Sequence, residues 1–142
     1  MDILYKVTKE LDFEQMVDIL YETKCLRHPK KRKIYKAAIE KAFQNSQFVV
    51  SAWHGTELAG FARVLTDESL YASIWNFMVS PKYQKKGIGK QLINKCLEKY
   101  PKLNFFLFAG DNSADFYRKM GFEIHPHGMN LKKGPDVCVI YN

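Results

Sequence analysis

Between residues 48 and 79 the apolar residues stop recurring at helical spacing and close up into three β-prone segments, and this change of period constrains the fold more than any other feature. Phe48 to Trp53 and Leu58 to Leu65 read as strands joined by a hairpin turn at His54-Gly55-Thr56, and a third strand runs from about Leu70 to Val79. The flanks have another period. Upstream, Ile3 to Val7 reads as a short edge strand, and Asp12 caps a helix with Gln15 as its capping-box partner. Phe13, Met16, Val17, Leu20 and Tyr21 form one face of that helix, and Tyr35, Ala38, Ile39, Ala42 and Phe43 form the stripe of a second.

Downstream, Pro81 and Gly87 bracket a basic loop, after which Ile88, Leu92, Ile93, Cys96 and Leu97 lie on one side of a helix that ends near Pro101. Leu103 to Phe108 is a nearly unbroken apolar run, the pattern of a central strand covered on both faces. Asn112 or Ser113 starts a short helix that Gly121 stops, and Phe122 to Ile124 and Val137 to Tyr141 are expected to be closing strands. The predicted order β-α-α-β-β-β-α-β-α-β-β implies a mixed sheet with helices on its faces, and excludes a helical bundle or a β-sandwich.

No repeat, linker or low-complexity tract interrupts the 142 residues, so one domain over 1–142 is expected. A hydrophobic fraction of 46% excludes disorder. No stretch approaches the ~20 apolar residues of a membrane helix, and Met1 to Lys9 lacks a signal-peptide pattern, so no membrane partner and a cytoplasmic location are expected. Cys25, Cys96 and Cys138 are widely separated and read as reduced thiols. His125 and His127 have no ligand-spaced companions, and no metal is expected.

The formal charge of +7 favours an anionic partner: nucleic acid, a membrane surface or a small polyphosphorylated ligand. Composition does not choose among them, and the most informative stretch is Phe77-Met78-Val79-Ser80-Pro81-Lys82-Tyr83-Gln84-Lys85-Lys86-Gly87-Ile88-Gly89-Lys90, which reads either as a plain strand-to-helix turn with solvated lysines or as an anion site. Here a strand ends, a loop with two glycines follows and an amphipathic helix begins. The first helical turn presents unpaired N–H groups and a partial positive charge, and glycines allow an anion close to the backbone. Lys82, Lys85, Lys86 and Lys90 sit at the end of the helix that disfavours cations, which is destabilising unless an anion binds. The spacing fits neither the mononucleotide P-loop nor the three-glycine dinucleotide motif.

Gln84-Lys85-Lys86-Gly87-Ile88-Gly89 resembles the Gln/Arg-x-x-Gly-x-Gly/Ala signature of the Gcn5-related N-acetyltransferases (GNAT), and Asn112 to Phe122, with Phe116-Tyr117 and Gly121-Phe122, is similar to the family's Phe-Tyr-x-x-x-Gly-Phe block. The resemblance implies an acyl-CoA N-acyltransferase fold of α/β (α+β) class, with a mostly antiparallel mixed sheet of about six or seven strands and helices on both faces. It implies an N-acetyltransferase that uses acetyl-CoA as acyl donor, without metal, and transfers acetyl to a primary amine of a small molecule or peptide by direct attack in a ternary complex.

Transferred by position, the resemblance puts Phe77, Met78 and Val79 along the pantetheine arm and Gln84, Lys85, Lys86, Gly87, Ile88, Gly89 and Lys90 at the phosphates. It makes Asn112 and Phe116 cofactor contacts and Tyr117 the acid that serves the leaving thiolate. Many relatives carry an acidic base where this chain has Asn76, so the base is expected elsewhere, at Asp67 or Glu68; otherwise a water chain removes the proton or the amine arrives neutral. The run Lys30-Lys31-Arg32-Lys33 reads as a solvated helix start or a steering patch for an acidic substrate, and Trp53 and Trp75 as core. Members of the family are often dimers, so a homodimer stays open. Two alternatives accompany this reading. One is a catalytically silent CoA-binding protein, suggested by Asn76. The other is a basic nucleic-acid-binding module, against which stands the lack of any helix-turn-helix or zinc pattern.

Overall fold

In the computed structural model, which describes residues 1–110 and 112–137, the chain begins with a short strand β1 (Leu4–Val7) and a helix α1 (Phe13–Glu22). The predicted cap forms. Asp12 Oδ1 accepts from Gln15 N at 3.1 Å, and the Gln15 amide also reaches the β-hairpin, donating to Thr56 O at 3.0 Å and accepting from Leu58 N at 2.8 Å. One side chain thereby fixes the start of α1 and docks it on the sheet. Helix α2 (Arg32–Gln44) follows, and Glu14 holds it against α1 by ion pairs to Arg32 and Lys36 at 2.8 Å each.

Strands β2 (Phe48–His54), β3 (Glu57–Thr66) and β4 (Tyr71–Val79) form an antiparallel meander. Helix α3 (Ile88–Lys99), strand β5 (Asn104–Phe106) and helix α4 (Ala114–Arg118) complete the described elements, and β5 runs parallel to β4. The sheet order is β1-β2-β3-β4-β5. Side chains of successive strand residues point to opposite faces, which splits the core in two. Val49, Trp53, Leu58 and Phe61 pack with Met16, Leu20, Ile39 and Phe43 of α1 and α2, while Val50, Ala62 and Val64 pack with Leu92, Ile93 and Cys96 of α3. Phe43 and Phe61 meet edge to face at 6.1 Å, so Phe61→Ala should destabilise by about 3–5 kcal/mol.

Several expectations need correction. Among the described residues the sheet has five strands, fewer than six or seven, and Phe122 to Ile124 forms none of them. Residues 138–141 of the second expected closing strand lie outside the described residues. The run Leu103 to Phe108 is not a central strand: β5 holds three residues at the end of the sheet, Phe105 and Leu107 pack on the α3 side, and Phe106 stays 45% exposed. Trp53 is core, whereas Trp75 is 36% exposed and packs on Phe108 at 5.6 Å. Cys96 is a buried free thiol, as expected, but Cys25 is disulfide-bonded; Cys138 lies outside the described residues.

Candidate active site

The loop after β4 is held at both ends. Ser80 N donates to Ala59 O at 2.8 Å, and the Gln84 side-chain amide donates to Val79 O at 3.0 Å. Between them Tyr83 is buried, its hydroxyl 3.1 Å from His54 Nδ1. Lys85 and Gly87 both take left-handed backbone, with φ of 63° and 81°. Gly87 is the N-cap of α3, and no side chain bonds the N–H groups of the first turn. Lys85, Lys86 and Lys90 form no ion pair among the described residues, so positive charge gathers at a helix start that already carries a partial positive charge.

The two glycines do different work. A Cβ at Gly87 would meet nothing within 4 Å, and what the position needs is its positive φ. A Cβ at Gly89 would stand 3.1 Å from Phe77 Cζ and 3.5 Å from Phe116 Cζ, so that glycine lets α3 close on β4 and α4.

The edge of β4 is the second part of the site. Strand β5 pairs with it only from Tyr71 to Ser73, which leaves Ile74 to Val79 without a strand partner on that side among the described residues. On the other side the register jumps: Phe61 faces Met78 and Arg63 faces Trp75, so Asn76 and Phe77 both oppose Ala62. This is a β-bulge, and Asn76 absorbs it with a φ of 50°, a conformation Asn tolerates better than most residues. A bulge bends its strand, and this one falls just beyond the last residue paired with β5, where the edge of β4 is open.

A cavity of about 1020 Å³ fills the space so opened. Phe77, Met78 and Val79 line it from β4; Gln84, Lys85, Gly87, Ile88, Gly89 and Lys90 from the loop and α3; Asn112, Phe116 and Tyr117 from α4 and its approach. Of the residues expected to hold the donor only Lys86 stands outside. Gln84 lines the cavity with its amide committed to Val79.

Tyr117 is buried among rings, 6.3 Å from Phe77, 5.1 Å from Phe116 and 5.7 Å from Phe122 between centroids. Burial pushes its phenol up to about 12, so the hydroxyl keeps its proton at any working pH. That hydroxyl has no hydrogen-bond partner among the described residues. It is a neutral donor facing a cavity.

Neither expected base lies there. Asp67 Oδ1 accepts from the backbone N–H groups of Ser69, Leu70 and Tyr71, which caps the β3–β4 turn and holds its carboxyl below the usual range. Glu68 is exposed on the same turn. No described lining residue is acidic. What the sequence reading missed is Arg63, which lines the cavity and donates from Nε to Asn76 Oδ1 at 2.8 Å. The signal was available: Arg63 is the one cation in the apolar run Leu58 to Leu65.

The sequence model described as the acetyltransferase (GNAT) family matches residues 13–122. A protein named histone acetyltransferase TAP1, from Glycine max, is 37% identical over 102 residues, which is 62% of this chain and 44% of that protein. The chain thus matches less than half the length of that relative. A GNAT family acetyltransferase from Streptococcus pneumoniae superposes with a TM-score of 0.78 at 22% identity, over 93% of this chain and 98% of that one. A predicted acetyltransferase with acetyl-CoA from Clostridium acetobutylicum does so with 0.70 at 14% identity, over 92% and 96%. These two likenesses show a shared fold, and the family match extends over most of the chain from α1 to the end of the second block: the chain belongs to the GNAT family of acetyltransferases.

Proposed function

We propose that the chain transfers an acetyl group from acetyl-CoA to a primary amine, with both substrates bound at once. The observation that carries this is that a single cavity joins an uncapped helix start beside unpaired lysines, an open strand edge and a buried neutral phenol. Each part fits a part of the donor. The helix start and Lys85 and Lys90 suit a pyrophosphate, and the free edge of β4 suits an extended, amide-rich arm that hydrogen-bonds as a strand would. The bound thioester supplies an activated acyl carbon. The amine nitrogen forms the new C–N bond as the C–S bond breaks, and Tyr117 donates its proton to the departing sulfur.

The amine must lose a proton. No described lining residue is acidic, so none holds the ammonium form or takes its proton. The acceptor therefore enters as the free amine and passes its proton to water after attack. Because no described lining residue is acidic, a CoA-binding protein without turnover is the second reading.

CoA titrated against the protein by calorimetry, followed by thioester consumption with a mixed amine panel, tests the assignment. We expect saturable CoA binding and amine-dependent release of free thiol. Absence of CoA binding would end both readings, and binding without thiol release on any amine would leave the second.

A further inference from the structure

The geometry points to Arg63 as an anchor for an anionic acceptor: an amine that carries a carboxylate, which the guanidinium binds where β3 and the bulge of β4 face α2. This deepens the acetyltransferase reading and rests on it for the word acceptor, but the anion site stands on its own observations.

Arg63 lies on β3 opposite Trp75, on the sheet face covered by α2, and is half-buried. Its guanidinium stands over the Phe43 ring at 5.7 Å. Nε donates to Asn76 Oδ1 at 2.8 Å, and Nη1 lies 3.4 Å from Ser46 Oγ. No carboxylate pairs with it among the described residues, and Nη2 has no protein acceptor there. A desolvated cation without a counter-charge is costly, and buried charges in proteins are ordinarily paired. The missing partner is then a ligand, and the cavity is where it arrives.

The lining cations sit on different elements, which supports two separate anions. Lys85 and Lys90 belong to the loop and the start of α3, whereas Arg63 lies on β3 against Phe43 of α2. A guanidinium held by Phe43 and Asn76 is pre-organised for bidentate contact with a planar carboxylate, a geometry an ammonium cannot supply. The identity of Asn76 follows from the same argument. An aspartate at the bulge would pair with Arg63 and cancel its charge; the amide orients the guanidinium and leaves the charge for the ligand.

The test measures binding of N-acetylated amino acids (glycine, glutamate and phenylalanine) and their C-terminal amides to the CoA-saturated protein by calorimetry, for the wild type, Arg63→Met and Arg63→Lys. A hydrogen bond to a charged group contributes about 1.5–3 kcal/mol, so at least one acid should bind roughly ten- to a hundredfold more tightly than its amide. Arg63→Met should erase that ratio with CoA affinity unchanged, and Arg63→Lys should recover it in part. If Arg63→Met does not fold, Arg63→Gln takes its place. Equal affinity for acids and amides, no binding of either, or a preference that survives loss of the guanidinium would each overturn the proposal. Acid-selective binding that depends on Arg63, together with no amine-dependent thiol release, would instead overturn the enzymatic reading and keep the anion site.

Discussion

At the scale of single residues, Tyr117 and the missing carboxylate make opposite statements about protons. Tyr117, pushed up to about 12 by burial, holds its proton, the one the proposed transfer would use. Tyr117→Phe preserves the ring contacts with Phe77 and Phe122 and removes the hydroxyl alone. General acid catalysis contributes roughly 10²–10⁴-fold, so kcat should fall by about that factor while KM for acetyl-CoA stays put. A Phe variant with undiminished kcat would reduce Tyr117 to packing. The carboxylate is absent from the described lining, so under the proposed transfer none of those residues gates the rate with a low pKa. The rate below the acceptor's own pKa should therefore climb about tenfold per pH unit, with no plateau near neutrality. A plateau with an apparent pKa of about 6–7 would reveal a base outside the described lining. Cys96 offers a control, because burial pushes its thiol up to about 12 and the folded protein should resist alkylation there.

At the scale of elements, what could be read from the chain was whatever depends on local geometry. The Asp12 cap, the His54-Gly55-Thr56 turn and the passage from β4 through Gly87 into α3 each use residues a few positions apart, and each forms within a residue or two of its expected place. What depends on strand partners was not legible. The bulge at Asn76 exists only in the register between β3 and β4, and Arg63 becomes a site residue only because that register puts it across from Trp75. Leu103 to Phe108 misleads for a related reason: an apolar run reads alike whether both faces are covered or one face carries exposed aromatics such as Phe106. Gly87 gives the element-scale prediction. Its left-handed φ costs an L-residue about 1–2 kcal/mol, so Gly87→Ala should lower stability by about that much in urea titration. Gly87→Asn should lose less, since Asn visits that region more readily. Equal losses would mean that contacts, not backbone, set the residue at this turn.

At the scale of the whole molecule, the excess of seven positive charges is not spread evenly in its consequences. Within the run at Lys30 to Lys33, Arg32 is paired with Glu14 and Asp18, which leaves Lys30, Lys31 and Lys33 exposed at the start of α2. Among the described residues Lys85 and Lys90 beside the cavity, and Lys86 just outside it, form no ion pair. A polyanionic donor approaching such a molecule is drawn by the sum of these charges but held by the near ones. Exposed charges further away than ~10 Å are screened at about 0.1 M salt, whereas a pair in contact still gains roughly 1 kcal/mol in high dielectric. CoA affinity should accordingly fall about tenfold or more between roughly 0.1 M and 1 M salt, as the screening length shrinks to ~3 Å. Dephospho-CoA, with fewer charges to screen, should show a shallower slope. Replacing Lys85 and Lys90 by Gln should flatten the slope for CoA, whereas Lys30→Gln with Lys31→Gln should leave it nearly unchanged, because those lysines line no part of the cavity. Calorimetric titration across a salt series reads all four slopes. Should CoA bind with the same affinity at every ionic strength, the N–H groups of the first turn of α3 hold the phosphates unaided and the lysines serve only the approach.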